Sequence, residues 1–248
     1  MTMLNTFYNF IEKILLNHEP LITQLQELRE LIKNSLMLEE FRLKCVEQVL
    51  DSMDRWTDQD TAWNAPHLFY HEQLKYSVRI IFWPPFHENN PHKHKTWSAT
   101  GIFHNFLNIN TYELLDNPTR LKREKTIAAS AFEAGYLIPG CIHNISNPTH
   151  ELSASIHIFN NIDISNPEDN AVWFPAPRKF NLSSGLMERA LSTCLMVASD
   201  IKNINAWNII NRIYEKSPVA LKLMAIQAMY KFDRLHARKC FASLEVNL

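Results

Sequence analysis

The order His92-Lys93-His94, then His143, then Ser155-Ile156-His157 constrains the fold of this chain more than any other feature. Two histidines one residue apart project from the same face of an extended strand. Both imidazoles can then reach one metal ion, and a later strand can bring a third. Seven of the eleven histidines fall between His87 and His157. The pair is framed by strand-like runs, Tyr76 to Trp83 upstream, broken by Pro84-Pro85, and Thr96 to Phe103 downstream. With Pro139-Gly140-Cys141-Ile142-His143 following, the two-motif layout predicts a small metal-binding β-barrel whose ligands converge inside it. The alternative is a chance His-X-His pair in a histidine-rich loop.

The stretch from Tyr76 to Phe159, about a third of the chain, resembles the cupin core of the thiol dioxygenases, the cysteine dioxygenase group. The residues that carry the resemblance stand in order: Trp83 and Pro85 lead into His92 and His94, then come Gly140, His143 and Asn147, then Ser155, His157 and Phe159. The fold it implies is mainly β, a cupin double-stranded β-helix barrel with α-helical N-terminal and C-terminal flanks. The chemistry it implies is a mononuclear ferrous iron held by His92, His94 and His143, and a small thiol that takes both atoms of dioxygen to become a sulfinic acid. Imidazole suits iron, copper, nickel and zinc alike, so ligand type leaves the metal open. Three neutral imidazoles bring no negative charge, which a substrate thiolate would supply.

By the same resemblance, Ser155 and His157 form a hydrogen-bonded catalytic relay beside the metal that fixes the direction of the imidazole. In the family the relay ends on a tyrosine hydroxyl; here Phe159 stands at that position. The bland reading of His157 is a satisfied histidine on an inward-facing strand. Trp83 is expected to wall the substrate pocket together with Phe159. The family's carboxylate-binding arginine has no counterpart in Leu68 to Glu72. Arg79 shares a strand face with Trp83 and is either a differently placed anchor for an acid group or a solvated strand arginine. The family's cysteine–tyrosine crosslink cannot form, because Ala99 stands near the cysteine position.

The rest of the sequence excludes more than it identifies. A net charge of -1 without long basic runs gives no electrostatic case for nucleic acid. No apolar stretch reaches the length of a membrane span, and the first residues lack a signal-peptide core, so a cytosolic location is expected. The four cysteines, Cys45, Cys141, Cys194 and Cys240, show no paired spacing and read as reduced thiols. Cys141, close to His143, reads as a buried small side chain. Only four glycines occur, and no phosphate-cradling loop or nucleophile elbow is present. His104 and His150 read as surface or loop residues.

Apolar residues recur at three and four from Leu4 to Met53, predicting about three helices divided at Pro20 and at Asn34-Ser35. After the proline-punctuated exit Trp173 to Pro177, the stretch from Ser183 to Leu244 predicts four amphipathic helices, loosely like a HEAT-type repeat. Ser217-Pro218 reads as a capped helix start. These helices either pack on the barrel or offer a surface to a protein partner. The expected layout is a helical flank over residues 1–60, the barrel over 61–178 and a helical region over 183–248. The expected function is an iron-dependent thiol dioxygenase acting on a small molecule. Two other readings stay open: a cupin oxygenase acting on a non-thiol metabolite in a biosynthetic pathway, and a non-catalytic metal- or ligand-binding cupin with a helical interaction tail.

Overall fold

The computed structural model describes residues 2–56, 67–115, 120–160, 171–174 and 185–245. Three helices lead the chain: α1 (Met3–Leu16), α2 (Leu21–Leu36) and α3 (Glu39–Ser52). Ten strands follow: β1 (Phe69–His71), β2 (Tyr76–Trp83), β3 (His92–His94), β4 (Ser98–His104), β5 (Phe106–Leu114), β6 (Leu121–Ser130), β7 (Ala134–Leu137), β8 (Ile142–Ser146), β9 (Ser153–Asn160) and β10 (Ala171–Trp173). Four helices close it: α4 (Leu186–Ser199), α5 (Ile204–Lys216), α6 (Val219–Met229) and α7 (Arg234–Glu245).

The strands form two five-stranded sheets, ordered β1-β2-β9-β4-β7 and β10-β3-β8-β5-β6. Every pairing is antiparallel, and β2 pairs with β9, β3 with β8, β4 with β7 and β5 with β6. A ribbon folded back on itself and wound into two facing sheets gives this nested pairing. It is the jelly-roll topology of the cupin double-stranded β-helix. The fold is therefore mainly β, a cupin barrel with helices at both ends.

All eight residues of β2 are buried, so the strand shows no polar alternation. Both its faces are covered. Tyr76, Val78, Ile80 and Phe82 join one large apolar cluster with the helices, whereas Ile81 and Trp83 point between the sheets with Ile102, Leu107 and Ile145. The large cluster includes α1 to α3, the outer face of the first sheet and α4, so both helical ends share its core. The expected boundaries at residue 60 and at 178–183, and the prolines of the barrel exit, lie outside the described residues.

Several local expectations are corrected. α2 runs through Asn34-Ser35 to Leu36, because burial of Leu36 outweighs two weak helix formers; the break falls at Met37-Leu38. Ser217 does not cap α6: Pro218 is the N-cap residue, no side chain makes a capping bond there, and the Ser217 hydroxyl has no hydrogen-bond partner. Nor is α6 amphipathic, since Leu221, Ala225 and Ile226 are buried while Leu223 and Met224 face solvent. His104 closes β4 and is half-buried, not a surface or loop residue. No helix among the described residues is long and apolar enough to cross a membrane. All four cysteines are free.

Candidate metal centre

β3 and β8 pair so that His92 stands opposite His143. Side chains opposite each other across a ladder share a face, and His94 lies two residues from His92 on that same face. The three rings converge, with centroids 4.3 Å (His92–His143), 4.9 Å (His92–His94) and 5.2 Å (His94–His143) apart. One nitrogen from each lies within 4.8 Å of the others.

Backbone carbonyls orient two of these rings. His92 Nδ1 is 3.0 Å from the carbonyl of Asn90, and His143 Nδ1 is 3.2 Å from that of Cys141. A carbonyl oxygen carries no proton, so both Nδ1 atoms donate and both Nε2 atoms hold the lone pair that a metal needs. Cys141 thus contributes its carbonyl; burial pushes its half-buried thiol up from the usual range. Burial holds the His94 pKa down to about 3, with the His143 ring adding to the effect, and holds His143 down to about 4. Neutral imidazoles at physiological pH are the ligand form. The donor set therefore fits a divalent transition metal.

Beside the rings runs a chain of hydrogen bonds that crosses three strands. The Trp83 indole Nε1 donates to Ser155 Oγ (2.8 Å), Ser155 Oγ meets His157 Nε2 (2.7 Å), and His157 Nδ1 meets Thr100 Oγ1 (2.8 Å). An indole only donates. Ser155 accepts from it, and the hydroxyls of Ser155 and Thr100, each able to donate and to accept, meet the two nitrogens of His157. Burial, with contributions from His94, His143 and Arg79, pushes the His157 pKa down to about 3. Phe159 stacks parallel on His157 at 5.0 Å and lies 5.8 Å from His94. Phe159 brings no hydroxyl to this chain of bonds; the hydroxyl that meets His157 Nδ1 is that of Thr100, on a neighbouring strand.

Trp83 is 1 % exposed and packs with Ile81, Ile102 and Leu107. From there it anchors the chain of hydrogen bonds through Ser155. Arg79 is 5 % exposed, so the solvated alternative is corrected: it stands opposite His157 in the β2–β9 ladder, and its Nε and Nη2 lie 2.9 and 3.1 Å from the His67 ring. Burial lowers the Arg79 pKa to about 10, which leaves it charged at neutral pH. Asn147 is buried and ties the turn after β2 to the loop before β9, donating to the carbonyls of Pro84 (3.0 Å) and Glu151 (2.7 Å).

Sequence reasoning missed three neighbours of the centre. Thr100 was detectable by the alternation that sets it facing inward with Ser98. Thr111, opposite His143 across β5 and β8, and Trp173, stacked on His92 at 4.2 Å, depend on long-range pairing and left no local signal.

No protein-family model and no curated protein sequence matches the chain. Solved structures that resemble it include a recombinant oxalate oxidase in complex with glycolate, at 19 % identity and TM-score 0.34, matched over 42 % of this chain and 48 % of that one. Others are oxalate decarboxylase of Bacillus subtilis, at 14 % and 0.32 over 40 % and 24 %, and a cupin superfamily protein of Desulfitobacterium hafniense, at 9 % and 0.31 over 39 % and 74 %. The match thus spans about half of the oxalate oxidase and about a quarter of the decarboxylase. The cupin fold of this chain rests on its own strand order and register.

Proposed function

We propose that this chain is a nonhaem iron dioxygenase that converts a small thiol to a sulfinic acid. In that reaction RSH and O2 combine to RSO2H; sulfur loses four electrons, dioxygen gains them, and no other reductant is consumed. The observation that carries the reading is the convergence of His92, His94 and His143, neutral and with two tautomers set by backbone carbonyls, beside the Trp83–Ser155–His157–Thr100 relay. A ferrous ion bound by the three imidazoles would supply positions for thiolate and dioxygen and the redox chemistry between them.

The protein's own groups do the positioning. Ser155 and Thr100 pin both nitrogens of His157, so the ring holds one direction. Phe159 covers the face of His157 and, with the buried Trp83, keeps water from that side. Arg79 is the inward cation opposite His157 and would meet an acid group of the substrate.

A second reading, an oxygenase acting on a non-thiol metabolite, draws support from the absence of arginine between Leu68 and Glu72 and from Phe159 in place of a hydroxyl-bearing residue. Oxygen uptake by ferrous-loaded protein against a panel of small thiols, beside a His143→Ala control, separates the two. Uptake that depends on one thiol and vanishes in the control supports thiol oxygenation. Bound iron with no thiol-stimulated uptake transfers the reading to another metabolite or to a binding protein.

A further inference from the structure

Three of the four glycines have a plain structural reason. Gly140 and Gly185 adopt left-handed backbone (φ 83° and 82°), which favours glycine. Gly101 lies under α2, where a Cβ would collide with Ile32 and come within 2.6 Å of Leu36 Cδ1. Gly135 has neither reason. It sits inside strand β7 with no left-handed φ, and a Cβ built on it finds nothing within 4 Å. Glycine weakens a strand interior, where it often marks close approach of a ligand.

The space lies in a cleft. Gly135 stands opposite Thr100 in the β4–β7 ladder, so its missing side chain would point the way Thr100 does, between the sheets. There a cleft of about 190 Å³ opens between edge strands β6 and β7, walled by Ile102, Ile109, Ile127, Ala129, Leu137 and Ile145. Thr100 and Glu133 are the polar residues of its lining on that side. A cavity of about 150 Å³ lined by aliphatic groups accommodates benzene, so this one suits a single ring or a short alkyl chain.

The cleft lies beside the candidate centre, which it approaches at Thr100 and Ile145. Ile145 follows His143 by two residues on β8, on the same face and about 7 Å along the strand. Thr100, at the cleft wall, is the residue that meets His157 Nδ1. We infer that the cleft seats the apolar body of the substrate, a thiol bearing a short aliphatic or monocyclic hydrocarbon group, while its sulfur faces the three histidines. The inference rests on the metal-centre reading above. A small molecule is favoured over a second copy of the chain because stable dimers bury roughly 1,600 Å² in total, far more than one ring covers. The edge strand β6 also carries Lys122, Arg123, Glu124 and Lys125, charges that discourage edge-to-edge pairing.

Toluene is the probe, titrated by calorimetry into the full chain as purified, with metal content, melting temperature and sedimentation measured on the same samples. Wild-type protein is expected to bind toluene, Gly135→Leu to bind it at least about tenfold more weakly, and Gly135→Ala to fall between, with metal content equal in all three. Gly135→Ala introduces no clash, so it keeps the test readable if the leucine variant fails to fold. Wild-type protein that carries metal but ignores toluene, or binds it as the leucine variant does, overturns the cleft assignment alone. A metal-free wild type overturns the centre and with it the substrate assignment. A wild-type dimer that becomes monomeric in Gly135→Leu gives the cleft to a second copy and also overturns the inference.

Discussion

Removing the Ser155 hydroxyl tests whether the relay is a load shared by buried groups or a coincidence of proximity. Ser155 Oγ is within 2.8 Å of Trp83 Nε1 and 2.7 Å of His157 Nε2, and all three residues are buried. Ser155→Ala leaves both nitrogens without that partner in a setting where water does not replace it. An orphaned buried polar group costs about 1–3 kcal/mol, so the pair should cost about 2–5 kcal/mol after partial relaxation. That is a large share of a total stability of about 5–15 kcal/mol. On a Trp83→Phe background the indole donor is already gone, and the same serine change orphans only His157. It should then cost about 1–3 kcal/mol, giving a coupling between the two positions of about 1–2 kcal/mol. Urea unfolding of the four chelator-treated proteins near neutral pH supplies the cycle. A cost for Ser155→Ala below about 1 kcal/mol with an unchanged m-value, or an equal cost on both backgrounds, would refute the reasoning.

Other perturbations check separate parts of the argument. Thr100→Val keeps the shape of the side chain but removes the partner of His157 Nδ1, and should cost about 1–3 kcal/mol where Thr100→Ser costs less; equal stability of the two variants in urea would remove Thr100 from the relay. Gly101→Ala forces a methyl against Ile32 and Leu36 and should destabilise by about 1–3 kcal/mol, whereas Gly135→Ala should stabilise by about 0.5–1 kcal/mol. Thermal and urea unfolding that give the two changes the same sign would contradict the assigned environments. His67 is held down to about pKa 4 by burial and then by the Arg79 charge, below its unfolded value of about 6.5. Between those values the unfolded chain binds the extra proton, so this contribution to stability is complete above about pH 6.5 and is lost as pH falls toward 4. His67→Gln should reduce the slope of stability against pH in that window by up to one proton, and an unchanged slope would show that His67 titrates normally.

What was legible in the sequence was local. The β-branched and aromatic run from Tyr76 to Trp83, stopped by Pro84-Pro85, coincides with β2, since strand propensity and a proline stop act on neighbouring residues. The three-and-four spacing of apolar residues places helices at both ends for the same reason, although Asn34-Ser35 and Ser217 show where burial overrides weak propensities and caps. His92 and His94 share a face because a strand alternates, whatever surrounds it.

Which other residues meet that face was decided only by the tertiary structure. His143 stands opposite His92 through the β3–β8 register, Trp173 covers His92 from a strand far along the chain, and Thr100 meets His157 Nδ1 from a neighbouring strand. A register shift of a single residue would turn each of these side chains to the opposite face. That register is fixed by burial summed over whole sheets, a quantity that no short motif contains. The same holds for Arg79, whose strand position the sequence gives but whose burial against His67 follows from β1 and β9 closing on either side of β2. The sequence by itself determined the ligand types and their local spacing; the wound pairing of β2 with β9, β3 with β8 and β4 with β7 decided that they converge, because only long-range pairing brings distant strands face to face.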